Sequence, residues 1–208
     1  MTSMTDRPLS AYGKYQQSRN ASWQCLIDCG VDRLPVAVSD IAAKLSVKLC
    51  EYGDNEGLLR RHHLDPLLEA AGFAYANPDG RLLIFFNEKD SRQQLRFTIA
   101  HELGHILLGH VGPELPRGRF LTPSDPRLER AADRFAERLL APACVLWARE
   151  ARTPEEIAAL CDIPMETARS RARRMQSLLR RNAWLRSPLE RQLYAQFHFS
   201  ADPPEGEG

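Results

Sequence analysis

From Ser91 to about Gly109 the apolar residues Phe97, Ile99, Ala100, Leu103, Ile106, Leu107 and Leu108 would cover nearly the whole circumference of a helix. A segment of that kind folds as a helix buried by its own domain. Any fold of this chain must therefore accommodate the polar residues that interrupt it: His101, Glu102 and His105. On a helix His101 and His105 project from one face a turn apart, near enough for both imidazoles to bind one cation. Glu102, beside the first histidine, can reach a water in the open coordination position without being a ligand, as a His-Glu-x-x-His pattern requires.

A catalytic zinc ion takes three protein ligands and keeps a fourth position open. His110 is one candidate for the third ligand. The run His105-x-x-x-Gly109-His110 is displaced by one residue at both Gly and His from the HExxHxxGxxH pattern, which puts His110 at the helix end instead. Glu129 is the other candidate. Residues 112–126 hold four prolines and two glycines and read as a loop. Ser124-Asp125-Pro126 then starts a helix that runs to about Leu140, before Pro142. Its apolar face is Leu128, Ala131, Ala132, Phe135, Ala136, Leu139 and Leu140, opposite Arg127, Arg130, Arg134, Glu137 and Arg138. Glu129 and Asp133 fall on the core side, where a carboxylate needs a partner to offset desolvation. A zinc ion and a zinc-bound histidine are such partners, and Asp133 would accept a hydrogen bond from the free ring nitrogen of His101. Ala132 and Ala136 are small enough to let the two helices approach closely. Surface ion pairs with Arg130 or Arg134 are the alternative for both acids.

Around these helices the patterning is mixed. Val36–Leu45 reads as a helix behind Ser39, Val47–Tyr52 as a strand, and Pro66–Ala71 as a short helix stopped by Gly72. Phe73–Ala76 and Arg81–Asn87 flank the turn signal Asn77-Pro78-Asp79-Gly80, so the sheet has about three strands. The fold class is α+β, mainly helical. Thr153–Leu160 and Met165–Arg181, joined by Cys161-Asp162-Ile163-Pro164, resemble a helix-turn-helix. The second of these helices carries Arg169, Arg171, Arg173, Arg174, Arg180 and Arg181, which can neutralise phosphates, although Ile157, Leu160, Ile163 and Ala168 favour a packing or docking role. Leu189–Phe199 is a last amphipathic helix. The expected organisation is a flexible stretch over 1–20, a core over 21–150, a helical unit over 151–200 and a disordered Pro/Gly/Glu-rich tail over 201–208.

Lys+Arg 28 against Asp+Glu 27 leaves a net charge of +1, which excludes a global field for nucleic acid or an anionic membrane. The five cysteines, Cys25, Cys29, Cys50, Cys144 and Cys161, contain no CxxC pair and suit buried free thiols in a reducing compartment. No stretch approaches the roughly 20 apolar residues needed to cross a bilayer, and a cytoplasmic location is expected.

The run Arg96-Phe97-Thr98-Ile99-Ala100-His101-Glu102-Leu103-Gly104-His105-Ile106-Leu107-Leu108, followed by Glu129-Arg130-Ala131-Ala132-Asp133-Arg134-Phe135-Ala136 and Leu139-Leu140-Ala141-Pro142, resembles the ImmA/IrrE family of metallopeptidases. The resemblance covers roughly residues 34 to 175. It implies a zincin-like fold with a gluzincin arrangement: His101, His105 and Glu129 as Zn2+ ligands, Glu102 as catalytic base and Asp133 behind a ligand. It also implies a protein substrate, a helix-turn-helix repressor that silences mobile-element or stress-response genes. The segment Leu58–Glu69 departs from the family pattern, and His62 and His63 within it are expected to be exposed. Tyr75 and His110 are candidate oxyanion donors, and the edge of Arg81–Asn87 is a candidate track for an extended substrate. The competing reading is a DNA- or repressor-binding regulator whose zinc site is structural or vestigial. Oligomeric state is not legible.

Overall fold

The computed structural model describes residues 11–61, 64–77, 79–111 and 125–198. Helix α1 (Ala11–Asp28) leads to α2 (Val38–Lys44), strand β1 (Lys48–Glu51) and α3 (Tyr52–Arg61). A 3-10 turn (Asp65–Glu69) precedes the hairpin of β2 (Gly72–Ala76) and β3 (Leu82–Phe86). The remainder is helical: α4 (Arg92–Leu107), α5 (Pro126–Leu140), α6 (Ala143–Ala148), α7 (Pro154–Cys161), α8 (Met165–Arg180) and α9 (Pro188–Gln196). The chain is thus α+β and mostly helical, as expected.

The three strands lie in the order β1-β3-β2, with β1 parallel and β2 antiparallel to β3. The side chain of Asn77 accepts from the Arg81 N–H at 2.7 Å and Gly80 takes a φ of +79°, which closes the hairpin. Because β3 is the central strand, both its edges are paired, and Arg81–Asn87 cannot receive a substrate. Among the described residues the unpaired edges belong to β1 and β2. Strand alternation then divides the side chains: Ala74 and Ile84 join the main core with α4, whereas Phe73, Phe85, Cys50, Tyr52 and Leu59 form a second cluster on the other face.

Ser91 caps α4 by accepting from the Gln94 N–H at 3.3 Å, and Asp125 caps α5 by accepting from the Arg127 N–H at 2.8 Å, with Pro126 in the first turn. The two helices cross at Gly104, where an added Cβ would lie 3.0 Å from Cδ1 and 3.2 Å from Cβ of Phe135. Gly72 does not stop a helix. It opens β2, where a Cβ would meet Thr98 Cγ2 at 2.5 Å and the Phe85 carbonyl oxygen at 2.9 Å, so its missing side chain lets the strand approach α4. Ser39 likewise sits inside the first turn of α2, whose N-cap is Ala37.

Helix α1, which begins at Ala11, overlaps the stretch read as flexible up to residue 20. Helix α1 packs on α5, burying Ser18 and Ser22, and Ser18 accepts a 3.1 Å hydrogen bond from Arg138. Arg138 is accordingly buried and not on the solvent side of α5. At the other end of the chain, Gln196 of α9 donates to the carbonyls of Leu26 and Val31 at 2.9 and 2.7 Å. The turn between α7 and α8 pivots on Asp162, at φ 52°, and Cys161 is the last residue of α7. Ile157, Cys161, Ile163, Ala168, Ala172 and Met175 belong to the same buried cluster as α4 and α5, so no break in the core marks residue 151. All five cysteines are buried and free. Among the described residues no helix is long and apolar enough to cross a membrane.

Candidate metal centre

Where α4 faces α5, three side chains with ligand atoms converge. His101 Nε2 is 3.0 Å from His105 Nε2 and 3.2 Å from Glu129 Oε2, and His105 Nε2 is 3.4 Å from Glu129 Oε1. Among the described residues this is the group of His, Cys, Asp or Glu placed to hold a cation. Tetrahedral bonds of about 2.0–2.1 Å separate neighbouring ligand atoms by about 3.3–3.4 Å, and each of these separations is close to that value, with the two histidines facing different oxygens of the Glu129 carboxylate. The donor set agrees: two imidazole nitrogens aimed at each other repel unless a proton or a cation lies between them.

Asp133 Oδ1 lies 2.9 Å from His101 Nδ1. By accepting the Nδ1 hydrogen it leaves the Nε2 lone pair directed at the triangle. The carboxylates of α5 stand at the rim. The side chain of Glu129 is 34% exposed and that of Asp133 49%, against 15% and 12% for His101 and His105, so the opening to solvent lies on the α5 side.

Glu102 is buried beside the triangle. Burial raises its pKa to about 7, although the charge of His101 and the Ala74 N–H both favour the carboxylate. The pairing Asn77 N–H to Arg81 O turns the amides of Gly72, Ala74 and Ala76 away from β3, which is why the Ala74 N–H is free to reach Glu102. Burial and the charge of His101 push His105 down to about 4. Burial would also lower His101, but its hydrogen bond to Asp133 and the charges of Glu102, Asp133 and Glu129 outweigh it and carry the pKa up.

The site residues singled out in the sequence, His101, Glu102, His105, Glu129 and Asp133, are therefore brought together. His110 joins them from outside the triangle, with Nδ1 3.1 Å from His105 Nδ1. Tyr75 does not join them. It packs in the second cluster, on the face of the sheet away from α4, because it neighbours Ala74 on an alternating strand. His62 and His63 lie outside the described residues. The Ala74 amide was not anticipated, since a backbone group has no side-chain signature.

A family model described as IrrE N-terminal-like domain (Peptidase_M78) matches residues 42–173, from α2 into α8. No curated protein matches the chain.

Proposed function

Since this chain belongs to the IrrE N-terminal-like family of metallopeptidases, we propose that it is a zinc-dependent endopeptidase acting on a helix-turn-helix repressor in the cytoplasm. The observation that carries the chemistry is the convergence of His101, His105 and Glu129 within ligand distance of one another, with Glu102 buried beside them. Two imidazoles and one carboxylate make a neutral-plus-anionic set suited to zinc and leave a coordination position open.

When bound, the cation supplies Lewis-acid polarisation of the scissile carbonyl and acidifies a water molecule. Glu102 takes the proton of the attacking water and returns it to the leaving amine. Its elevated pKa suits it to both roles near neutrality, and the Ala74 N–H holds the carboxylate in place. Asp133 keeps His101 in the Nδ1–H tautomer. The open edge of β2, with the Ala74 carbonyl and the Ala76 amide facing outward, offers main-chain pairing to an extended peptide.

The test is incubation of the zinc-loaded protein with a candidate repressor, comparing wild type with Glu102→Gln and mapping new termini. Cleavage by wild type and none by the zinc-bound variant is expected. Undiminished cleavage by the variant would sink the mechanism. A nucleic-acid-binding regulator is the second reading, favoured by exposed Arg169, Arg173 and Arg180, which share one face of α8. Buried Arg171 is spent on packing and weakens it. Salt-dependent DNA binding that survives removal of zinc would support it.

A further inference from the structure

The C-terminal end of α4 is closed in a way that lays a histidine against one of the ligating residues. Gly109 takes the left-handed conformation, at φ +73°. Its N–H bonds to the Ile106 carbonyl at 3.1 Å, and the His110 N–H bonds to the His105 carbonyl at 2.8 Å. This pair of bonds is a Schellman cap, which sets the residue after the glycine against the residue five before it, a contact that is ordinarily apolar. Here two imidazoles make it. His110 Nδ1 stands 3.1 Å from His105 Nδ1, with the ring centroids 5.1 Å apart and the planes at 69°.

Hydrogen placement gives this contact a role. His105 directs Nε2 at His101 and Glu129. A neutral imidazole that offers the Nε2 lone pair carries its hydrogen on Nδ1. The atom facing that hydrogen is His110 Nδ1, which accepts it when its own hydrogen is on Nε2. We propose that His110 is a positioning residue that fixes the ring and tautomer of His105, as Asp133 does for His101. This rests on the cation-binding reading above. The Gly109-His110 pair is what encodes it: glycine permits the left-handed turn, and the turn delivers the acceptor. His110 is not a ligand, because it meets His105 at the nitrogen opposite the triangle.

Two substitutions separate positioning from packing. His110→Leu supplies the ordinary apolar contact of the cap and removes the acceptor. His110→Asn places a carbonyl oxygen near the position of Nδ1 and keeps an acceptor. Zinc affinity is measured by competition with a chromophoric chelator, together with the visible spectrum of the cobalt-substituted protein and thermal unfolding of the metal-free protein. His110→Leu is expected to bind zinc about 10- to 100-fold more weakly, with unchanged cobalt bands and no loss of metal-free stability. His110→Asn should stay close to wild type. The proposal is overturned if the Leu variant binds as tightly as wild type, or if Asn loses as much as Leu. Shifted cobalt bands in the Leu variant would make His110 a ligand and overturn it equally. Should both variants destabilise the metal-free protein without a difference in zinc affinity between them, His110 is only a cap. A wild-type protein that takes up no zinc refutes the cation reading and this proposal with it, whereas zinc-binding wild type with an unaffected Leu variant refutes this proposal alone.

Discussion

Keeping a carboxyl group buried beside two imidazoles has a cost that shows in the metal-free protein. The folded-state pKa of Glu102 is about 7, above the 4.5 of an unperturbed glutamate. Between those values the unfolded chain has lost its proton while the folded chain still holds it, so stability falls as pH rises through this window. Glu102→Gln removes that dependence. The metal-free variant should match or slightly differ from wild type near pH 4.5 and gain on it progressively up to about pH 7. The gain at neutral pH is on the order of 3 kcal/mol at most. Urea unfolding of both proteins at pH 5 and 7.5, with metal removed, measures it, and a stability difference independent of pH would contradict the placement of Glu102. His105 acts in the opposite sense. Its depressed pKa, about 4, means that protonation of the unfolded chain erodes stability as pH falls from 6.5. Comparing the two proteins at each pH cancels the His105 contribution and leaves that of Glu102 together with the part of the His101 shift that Glu102 causes.

At the scale of elements, the site depends on how closely α4 and α5 approach, and Gly104 sets that distance against Phe135. Gly104→Ala gains roughly 1 kcal/mol of helix propensity but forces a contact of 3.0–3.2 Å onto Phe135, including its Cβ, which cannot swing aside. Overpacking of this kind costs about 1–3 kcal/mol. The variant should be equal or lower in thermal stability and should bind zinc more weakly, because Glu129 is carried away from the two histidines. A chelator titration showing wild-type affinity would mean that the helices can separate without disturbing the ligands. Both helices were legible in the chain, α4 because it is apolar nearly all round and α5 because its apolar face repeats at helical spacing behind the start signal Ser124-Asp125-Pro126. Other elements were not. Helix α1 escaped because its buried face includes Ser18 and Ser22, which count as polar until Arg138 and the Arg19 carbonyl are seen to satisfy them. The strands were each visible, but their order was not, because β1 pairs with β3 across the intervening α3 and β2. That non-local pairing makes β2 an edge, while alternation along β2 sends Tyr75 to the face opposite Ala74.

For the whole molecule, the question is whether α7 to α9 form an appendage or a brace. Their apolar residues merge with those of α1, α4 and α5 in one buried cluster. The polar contacts agree: Arg96 of α4 donates to the Asp162 and Cys161 carbonyls at 3.0 and 3.2 Å. Arg171 of α8 donates twice, at 3.0 and 2.7 Å, to the carbonyl of Ala141, which directly follows the helix that carries Glu129 and Asp133. Arg171→Met preserves much of the apolar stem while leaving that carbonyl buried without these donors. Losing such bonds costs about 1–3 kcal/mol. If the C-terminal helices brace the site, the variant unfolds in urea at a lower midpoint but still in a single transition, with tryptophan fluorescence, far-ultraviolet circular dichroism and release of bound metal coinciding. Trp147 and Trp184, stacked at 5.3 Å across α6 and the segment after α8, report on the C-terminal side, and Trp23 on α1. An early fluorescence change that leaves metal bound would instead reveal an independent unit. In that case the helices after residue 150 would not contribute to the geometry of the metal centre.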